Sequence, residues 1–276
     1  MNLRSRIGLF TLHNTATLNV DGPAYVRSLG LDCFEPYASK DLVEPDLSAA
    51  RRIREEADRC GVRLPCLSAS VDLCGEKGAS NAERLMRYAD VCKEAGIPLL
   101  HHTLYHELNP EAVLPSFEDA LEELVPRVRE IYDYAESIGV KCVYEDQGQV
   151  VNGVERFGKF LNALDRPCGV VLDLGNAAFA GETAEAFCKA FVDRVVHVHV
   201  KDYLVRPYEG VGYRLRSGLS CRPAVLGQGD CAVIPALKHL MAHGYDGCFM
   251  LECEKRTDAR AEFDEHFRVL CETIGA

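Results

Sequence analysis

Four residues of this chain carry the most legible chemistry: Glu145, Asp173, His199 and Glu252. Each closes a short apolar run of strand character, VKCVYE, GVVLD, VVHVH and CFMLE. Three carboxylates converging on one point would repel and be driven to protonate. A divalent cation turns the same three acids and one imidazole into a mixed oxygen and nitrogen ligand set. Such a set suits Mn²⁺ first, with Mg²⁺, Co²⁺ or Zn²⁺ as alternatives, and differs from a thiolate-type zinc centre. The competing explanation is that strand-end acids cap the helices that follow, as Asp173 could.

The stretch VVHVHVKDY, from Val195 to Tyr203, sharpens the choice. Side chains alternate along a strand, so His197, His199 and Lys201 share one face and Val196, Val198 and Val200 the other. Valines at every second position suit packing under helices. Two imidazoles and an ammonium on the opposite face need polar partners, which a pocket provides. A single strand-end histidine would be ordinary, but three polar groups on one face point to a metal or substrate site.

The elements that must present these residues follow a rhythm of helix, glycine, strand: SLG-LDCFE, RCG-VRLPCLS, EAG-IPLLHH and SIG-VKCVYE. Glycine suits the left-handed residue just past a helix end. Eight strands are expected, over Arg6–Thr11, Leu31–Glu35, Val62–Ser68, Ile97–Thr103, Val140–Glu145, Gly169–Asp173, Val195–His199 and Cys248–Glu252. Amphipathic stretches Leu47–Cys60, Asn81–Ala95, Phe117–Ser137, Val154–Leu164, Thr183–Ala190 and Val233–His243 lie between them. Asp21 or Gly22 with Pro23, and Asp46 or Ser48, are the expected starts of the first two helices. Strict alternation predicts a single (β/α)8 TIM barrel over residues 1–276, and no GxGxxG follows the first strand to favour an open doubly wound sheet. A long connection at about 204–226 is the one anomaly. It holds Arg206, Arg214, Arg216 and Arg222 with three glycines, and reads as a substrate lid or a contact between subunits of a homo-oligomer.

Active sites of such barrels lie at the C-terminal ends of the strands. There the chain places Glu35, His101 with His102, Glu145 with Asp146, Asp173, His199, and Glu252 with Glu254. His239 and His243 have i, i+4 spacing without the glutamate of HExxH, and are expected on an outer helix face. Neither GxSxG nor GxxxxGK occurs, so nucleophilic hydrolase and nucleotide-dependent readings lack support.

Lys and Arg total 31 against 42 Asp and Glu, a net charge of −11. That balance argues against a broad nucleic-acid surface. No uninterrupted apolar run reaches membrane-spanning length, and the N-terminus MNLRSRIGLF lacks a secretory pattern. The 13 cysteines show no CxxC pair. Many sit inside apolar runs, as free thiols in a reducing cytoplasm would, with soft-metal binding as the alternative.

The motifs VYEDQG, VVLDLGNAAFAGE, VVHVHVKDY and GQGD followed by HGYDGCFMLECE together resemble the sugar phosphate isomerase/epimerase superfamily, the xylose-isomerase-like TIM barrels that include ketose 3-epimerases and inosose dehydratases. The resemblance covers essentially the whole chain and is sharpest from Val140 to Glu252. It implies metal ligands Glu145, Asp173, His199 and Glu252, with Glu145 and Glu252 also the acid/base pair. It implies a supporting position for His197. Asn176 stands three residues after Asp173, where some epimerases carry histidine, and is expected to keep a hydrogen bond to substrate. The family's frequent GEGxxD is GQGD here, at residues 227–230.

The function expected is therefore a metal-dependent sugar or sugar-phosphate isomerase or epimerase acting on a small carbohydrate, with no nucleic-acid or membrane partner. Glu145 and Glu252 would move the proton beside a carbonyl, while Glu35, His102, Asn176, Lys201 and Arg206 contact substrate. Arg206 and its neighbours would select an anionic group. A dehydratase using the same site is the first rival, and a non-catalytic sugar-binding barrel the last.

Overall fold

In a computed structural model of the chain, which describes residues 3–10, 22–38, 44–107, 112–252 and 259–276, strands and helices alternate. The barrel strands are β1 (Ile7–Phe10), β2 (Cys33–Glu35), β3 (Cys66–Ala69), β4 (Leu99–His102), β5 (Lys141–Tyr144), β6 (Gly169–Asp173), β7 (Val195–Val200) and, after three strands described below, β11 (Phe249–Leu251). The helices are α1 (Gly22–Ser28), α2 (Leu47–Cys60), α3 (Gly78–Ala95), α4 (Phe117–Ser137), α5 (Val154–Leu164), α6 (Ala184–Phe191), α7 (Val233–Ala242) and α8 (Ala259–Ile274). The eight strands run parallel in the order β2-β1-β11-β7-β6-β5-β4-β3. Between β2 and β3 there is no ladder, only the isolated bridges Cys33–Arg63 and Tyr37–Ser68, so the barrel is nearly closed with one thin seam.

Local chemistry explains these boundaries. The Asp46 side chain accepts from the Ser48 backbone N–H and starts α2. Gly61, at φ 65°, ends it by donating to Ala57 and Asp58 carbonyls, in the left-handed conformation that glycine adopts without Cβ strain. Thr11, Asp21 and Glu254 lie outside the described residues.

Strand parity separates two interiors. One face of the strands packs under the helices in a large core that includes Leu67, Leu100, Tyr144, Leu172 and Val198. The other face fills the barrel in two smaller apolar clusters: Phe10, Cys33, Tyr37, Cys248 and Met250, and Cys66, Val143 and Val171. Above them, at the strand ends, the inward positions become polar.

The segment expected as a long loop instead forms a three-stranded antiparallel sheet of β8 (Asp202–Pro207), β9 (Tyr213–Arg214) and β10 (Leu219–Ala224). Asp202 pairs with Ala224, so the chain leaves and returns at one point. The buried Asp202 carboxylate accepts backbone N–H bonds from Gly227, Gly229 and Tyr203 at 2.9–3.0 Å. A Cβ on Gly229 would overlap Asp202 Oδ1, which explains glycine in GQGD. Phe179, Tyr203 and Tyr213 pack mutually at centroid distances of 6.0–6.2 Å and fix the sheet to the turn after β6. Arg216 donates to the Asn152 carbonyl and Gln149 to the Arg214 carbonyl, which tie it to the loop after β5.

Candidate active site

The C-terminal ends of β1 to β5, β7 and β11 surround one small cavity, lined by Phe10, Tyr37, Ser68, His101, Glu145, Gln147, His199 and Glu252 among others. Register places Asp173 beside His199, and the latter beside Met250, two residues before Glu252. Glu145 Oε2 lies 3.2 Å from His199 Nδ1, and Asp173 Oδ2 lies 3.8 Å from the same nitrogen. Donor atoms of Glu145, Asp173 and His199 all fall within 4.8 Å of one another, the spacing of a cation's ligands. Glu252 Oε2 is 3.0 Å from Lys201 Nζ, which also lies 2.9 Å from Asp173 Oδ2. Asp173 Oδ1 accepts from the N–H groups of Gly175 and Asn176, so Oδ2 is the oxygen left facing the cavity cations. Phe10 stacks flat on the His199 ring at 4.9 Å and limits its rotation.

A second chain of hydrogen bonds supports this centre from the opposite wall. Glu35, fully buried, meets His197 Nε2 at 2.7 Å and His199 Nε2 at 3.2 Å. The Ser68 hydroxyl donates to Glu35 Oε1 at 2.6 Å. Its oxygen is 2.7 Å from His101 Nδ1, so with its one proton committed to Glu35 it accepts there from Nδ1–H. His101 Nε2 then faces Glu145 Oε1 at 3.4 Å.

These surroundings drive the carboxyl groups apart. Burial disfavours the charged form of each. At Glu252 burial wins against Lys201, helped by the charge of Asp173, and the group is pushed up to about 8. At Glu145 burial is outweighed by the His101 and His199 imidazoles, and the carboxyl is held well below its usual range. Burial is likewise overcome at Glu35 by His199 and His197. The His199 imidazole rises well above its ordinary value, because Glu35 and Glu145 more than offset burial. Asp146, next in sequence to Glu145, is fully buried and raised well above normal by burial, then by Asp173 and Glu145.

Not every expected residue reaches the cavity. His102 turns into the helical layer, where its ring meets Tyr144 edge-on at 5.1 Å and Nδ1 bonds the Thr103 carbonyl. Its neighbour His101 takes the inward position. Arg206 is exposed on β8 and paired with Asp230 at 3.0 Å. Among the described residues lining the cavity there is no arginine. Asn176 is buried beside Asp173, and its Nδ2 has no hydrogen-bond partner among the described residues. Ser68 and Phe10 were not anticipated. A polar residue ending an apolar strand was the available signal for Ser68, and Phe10 offered none.

The fold and this centre define a class. The xylose isomerase-like TIM barrel model matches residues 23–273, and the chain belongs to that family. An inosose dehydratase of Clostridium perfringens (strain 13 / Type A) is 29% identical over 147 residues, covering 50% of this chain and 48% of that protein. The chain thus aligns with about half the length of that relative. Among solved structures, a xylose isomerase domain protein from Planctomyces limnophilus superposes with TM-score 0.75 at 19% identity, covering 91% and 92% of the two chains. The IolI protein with a bound zinc atom superposes with TM-score 0.73 at 17% identity, covering 98% of each. Both likenesses are of fold. The described residues include no helix long and apolar enough to cross a membrane.

Proposed function

We propose that this protein is a divalent-metal-dependent enzyme that moves a proton beside the carbonyl of a small, uncharged keto-sugar or keto-cyclitol. The observation that carries this reading is geometric: Glu145, Asp173 and His199 bring donor atoms within 4.8 Å of one another at the strand ends, with the second glutamate, Glu252, on the same cavity wall. Environments that split two carboxyl groups assign a base and an acid. Glu145, held ionised by two imidazoles, takes the proton from carbon. Glu252, whose carboxyl burial pushes up while no cation is bound, returns one.

The donor set fits a divalent cation. Glu145, Asp173 and His199 would hold it, and Glu252 would join them on leaving Lys201. The cation supplies Lewis acidity that stabilises negative charge developing on a substrate oxygen. Mn²⁺ suits these hard donors best, and Mg²⁺, Co²⁺ or Zn²⁺ would also be accepted. Lys201 and His101 orient substrate hydroxyls, while Phe10 and Tyr37 supply an apolar wall. The lack of arginine among the described lining residues favours an uncharged substrate over a phosphorylated one.

Isomerisation or epimerisation needs no group beyond the two glutamates. Dehydration, in which Glu252 protonates a departing hydroxyl, is the second reading, favoured by the relative named inosose dehydratase. Incubation with Mn²⁺ and a panel of ketoses and inososes in D₂O distinguishes them. Isomerase or epimerase activity exchanges a carbon-bound hydrogen without loss of mass in water, whereas dehydration removes one water. Neither exchange nor dehydration across the panel would reject the proposal.

A further inference from the structure

One layer beneath the proposed cation position, a thiol, a carboxylate and an imidazole converge, none of them touching the substrate cavity directly, although the carboxylate of Glu35 also holds His199. Cys66 on β3, Glu35 on β2 and His197 on β7 are all buried, and their donor atoms lie within 4.8 Å of one another. Glu35 Oε2 is already 2.7 Å from His197 Nε2. The Cys66 thiol lies 3.7 Å from the Leu67 carbonyl and interacts with the Glu35 carboxylate beside it. We propose that Cys66, Glu35 and His197 form a second, thiolate-containing zinc site that staples the barrel seam.

Three lines of chemistry converge on zinc. One sulfur, one nitrogen and one oxygen make a donor set that tetrahedral Zn²⁺ accepts, with the fourth position open to water or another donor. Tetrahedral zinc holds such donors roughly 3.3–3.8 Å apart, so the observed spacing closes with side-chain adjustments alone. Thiolate, carboxylate and neutral imidazole together carry two negative charges, which the ion neutralises in a place where net charge is costly. The ion takes the place of the Cys66 thiol proton, which leaves to solvent, while His197 stays neutral with its proton on Nδ1 so that Nε2 can ligate. Access comes from the N-terminal mouth of the barrel, where a cavity of about 830 Å³ reaches His197, Leu99 and Val143, the latter two packed in the same interior cluster as Cys66.

Position gives the site its function. Cys66 and Glu35 stand on the two strands that lack a ladder between them, and His197 comes from the far side of the barrel. A shared ion adds a side-chain tie to a seam otherwise held by the backbone bonds of its two isolated bridges. The neighbouring Cys33 and Cys248 thiols, 3.7 Å apart, are less suited, because Arg63 Nη2 lies 3.1 Å from Cys33 Sγ and repels a cation.

The test is independent of the reaction and uses Co²⁺ as a spectroscopic substitute for zinc. Chelator-stripped full-length protein titrated with Co²⁺ is expected to show thiolate-to-cobalt charge transfer in the near ultraviolet, which oxygen and imidazole donors do not produce. Cys66→Ser should abolish the band, bind one equivalent of zinc fewer than wild type, and lose the zinc-induced rise in Tm contributed by this site. Asp173→Asn should retain the band. No band in the wild type, or a band that survives Cys66→Ser, overturns the site. Should Cys66→Ser fail to fold, X-ray absorption on zinc-loaded Asp173→Asn decides it: one sulfur in the zinc shell supports the site, and a shell without sulfur refutes it.

Discussion

Glu145 and Glu252 share a side chain and differ by what surrounds them. Replacing either by Gln keeps its shape while removing the proton transfer, so turnover should fall by about 10²–10⁴-fold. Steady-state rates on the identified substrate check this, and a variant retaining more than a tenth of the activity would remove that residue from the mechanism. His102 gives a second prediction. Burial lowers its imidazole to about 4, from an ordinary 6.5. Between those values the unfolded chain binds a proton that the folded chain refuses, so stability falls as pH drops from about 6.5 towards 4, by at most about 3 kcal/mol. His102→Phe preserves the ring against Tyr144 and should reduce the loss of Tm between pH 7 and pH 5. An unchanged loss would show that other groups dominate the acid limb. The same residue marks a limit of sequence reading. Period 2 decides inward from outward only where polar and apolar residues alternate, as in VVHVH. In the run LLHH both parities carry a leucine and a histidine, so His101 and His102 could not be told apart without the register of β4 on β3 and β5.

At the scale of elements, glycine stops and continuous apolar runs were enough to place the barrel strands, because strands covered on both faces have few other sequences open to them. Helices α2, α4 and α5 begin and end where their apolar periods imply. The sheet of β8, β9 and β10 was illegible for the converse reason. It is half exposed, interrupted by glycines, and held by Asp202 accepting from residues 25 and 27 positions away. No local pattern announces such a bond. Gly229→Ala should force Asp202 out of its place and loosen this sheet while the barrel stays folded. Limited proteolysis would then cut within residues 204–226 several-fold faster than in wild type, with far-UV circular dichroism little changed. Equal cleavage rates would show that the aromatic contacts of Phe179, Tyr203 and Tyr213 hold the sheet without the latch.

For the whole molecule, the proposed cation site predicts that stability depends on divalent cations, because buried ionisable groups are concentrated at one end of the barrel. Dialysis against a chelator should lower Tm, and Mn²⁺ at about 100 times its dissociation constant should restore about 2.7 kcal/mol. Asp173→Asn should blunt that response to Mn²⁺. A wild-type Tm indifferent to Mn²⁺, Mg²⁺, Co²⁺ and Zn²⁺ would count against the cation at the strand ends. The family as a whole was legible because its motifs fall at strand ends, where geometry restricts residue type. The substrate was not, because the cavity wall is assembled from single residues on many strands, each unremarkable in its own stretch of sequence.

The return of the chain at Asp202 and Ala224 has a consequence for how such a protein can change. Because the excursion begins and ends on one paired position, it is a cassette: its length and surface can vary while the two attachment points stay fixed, and β7 and α7 need not move to accommodate a new version. Exposed Arg214 can therefore change for partners or assembly, whereas Arg216 is held to its bond with the Asn152 carbonyl. Inheritance can revise the rim of this barrel without rewriting its centre.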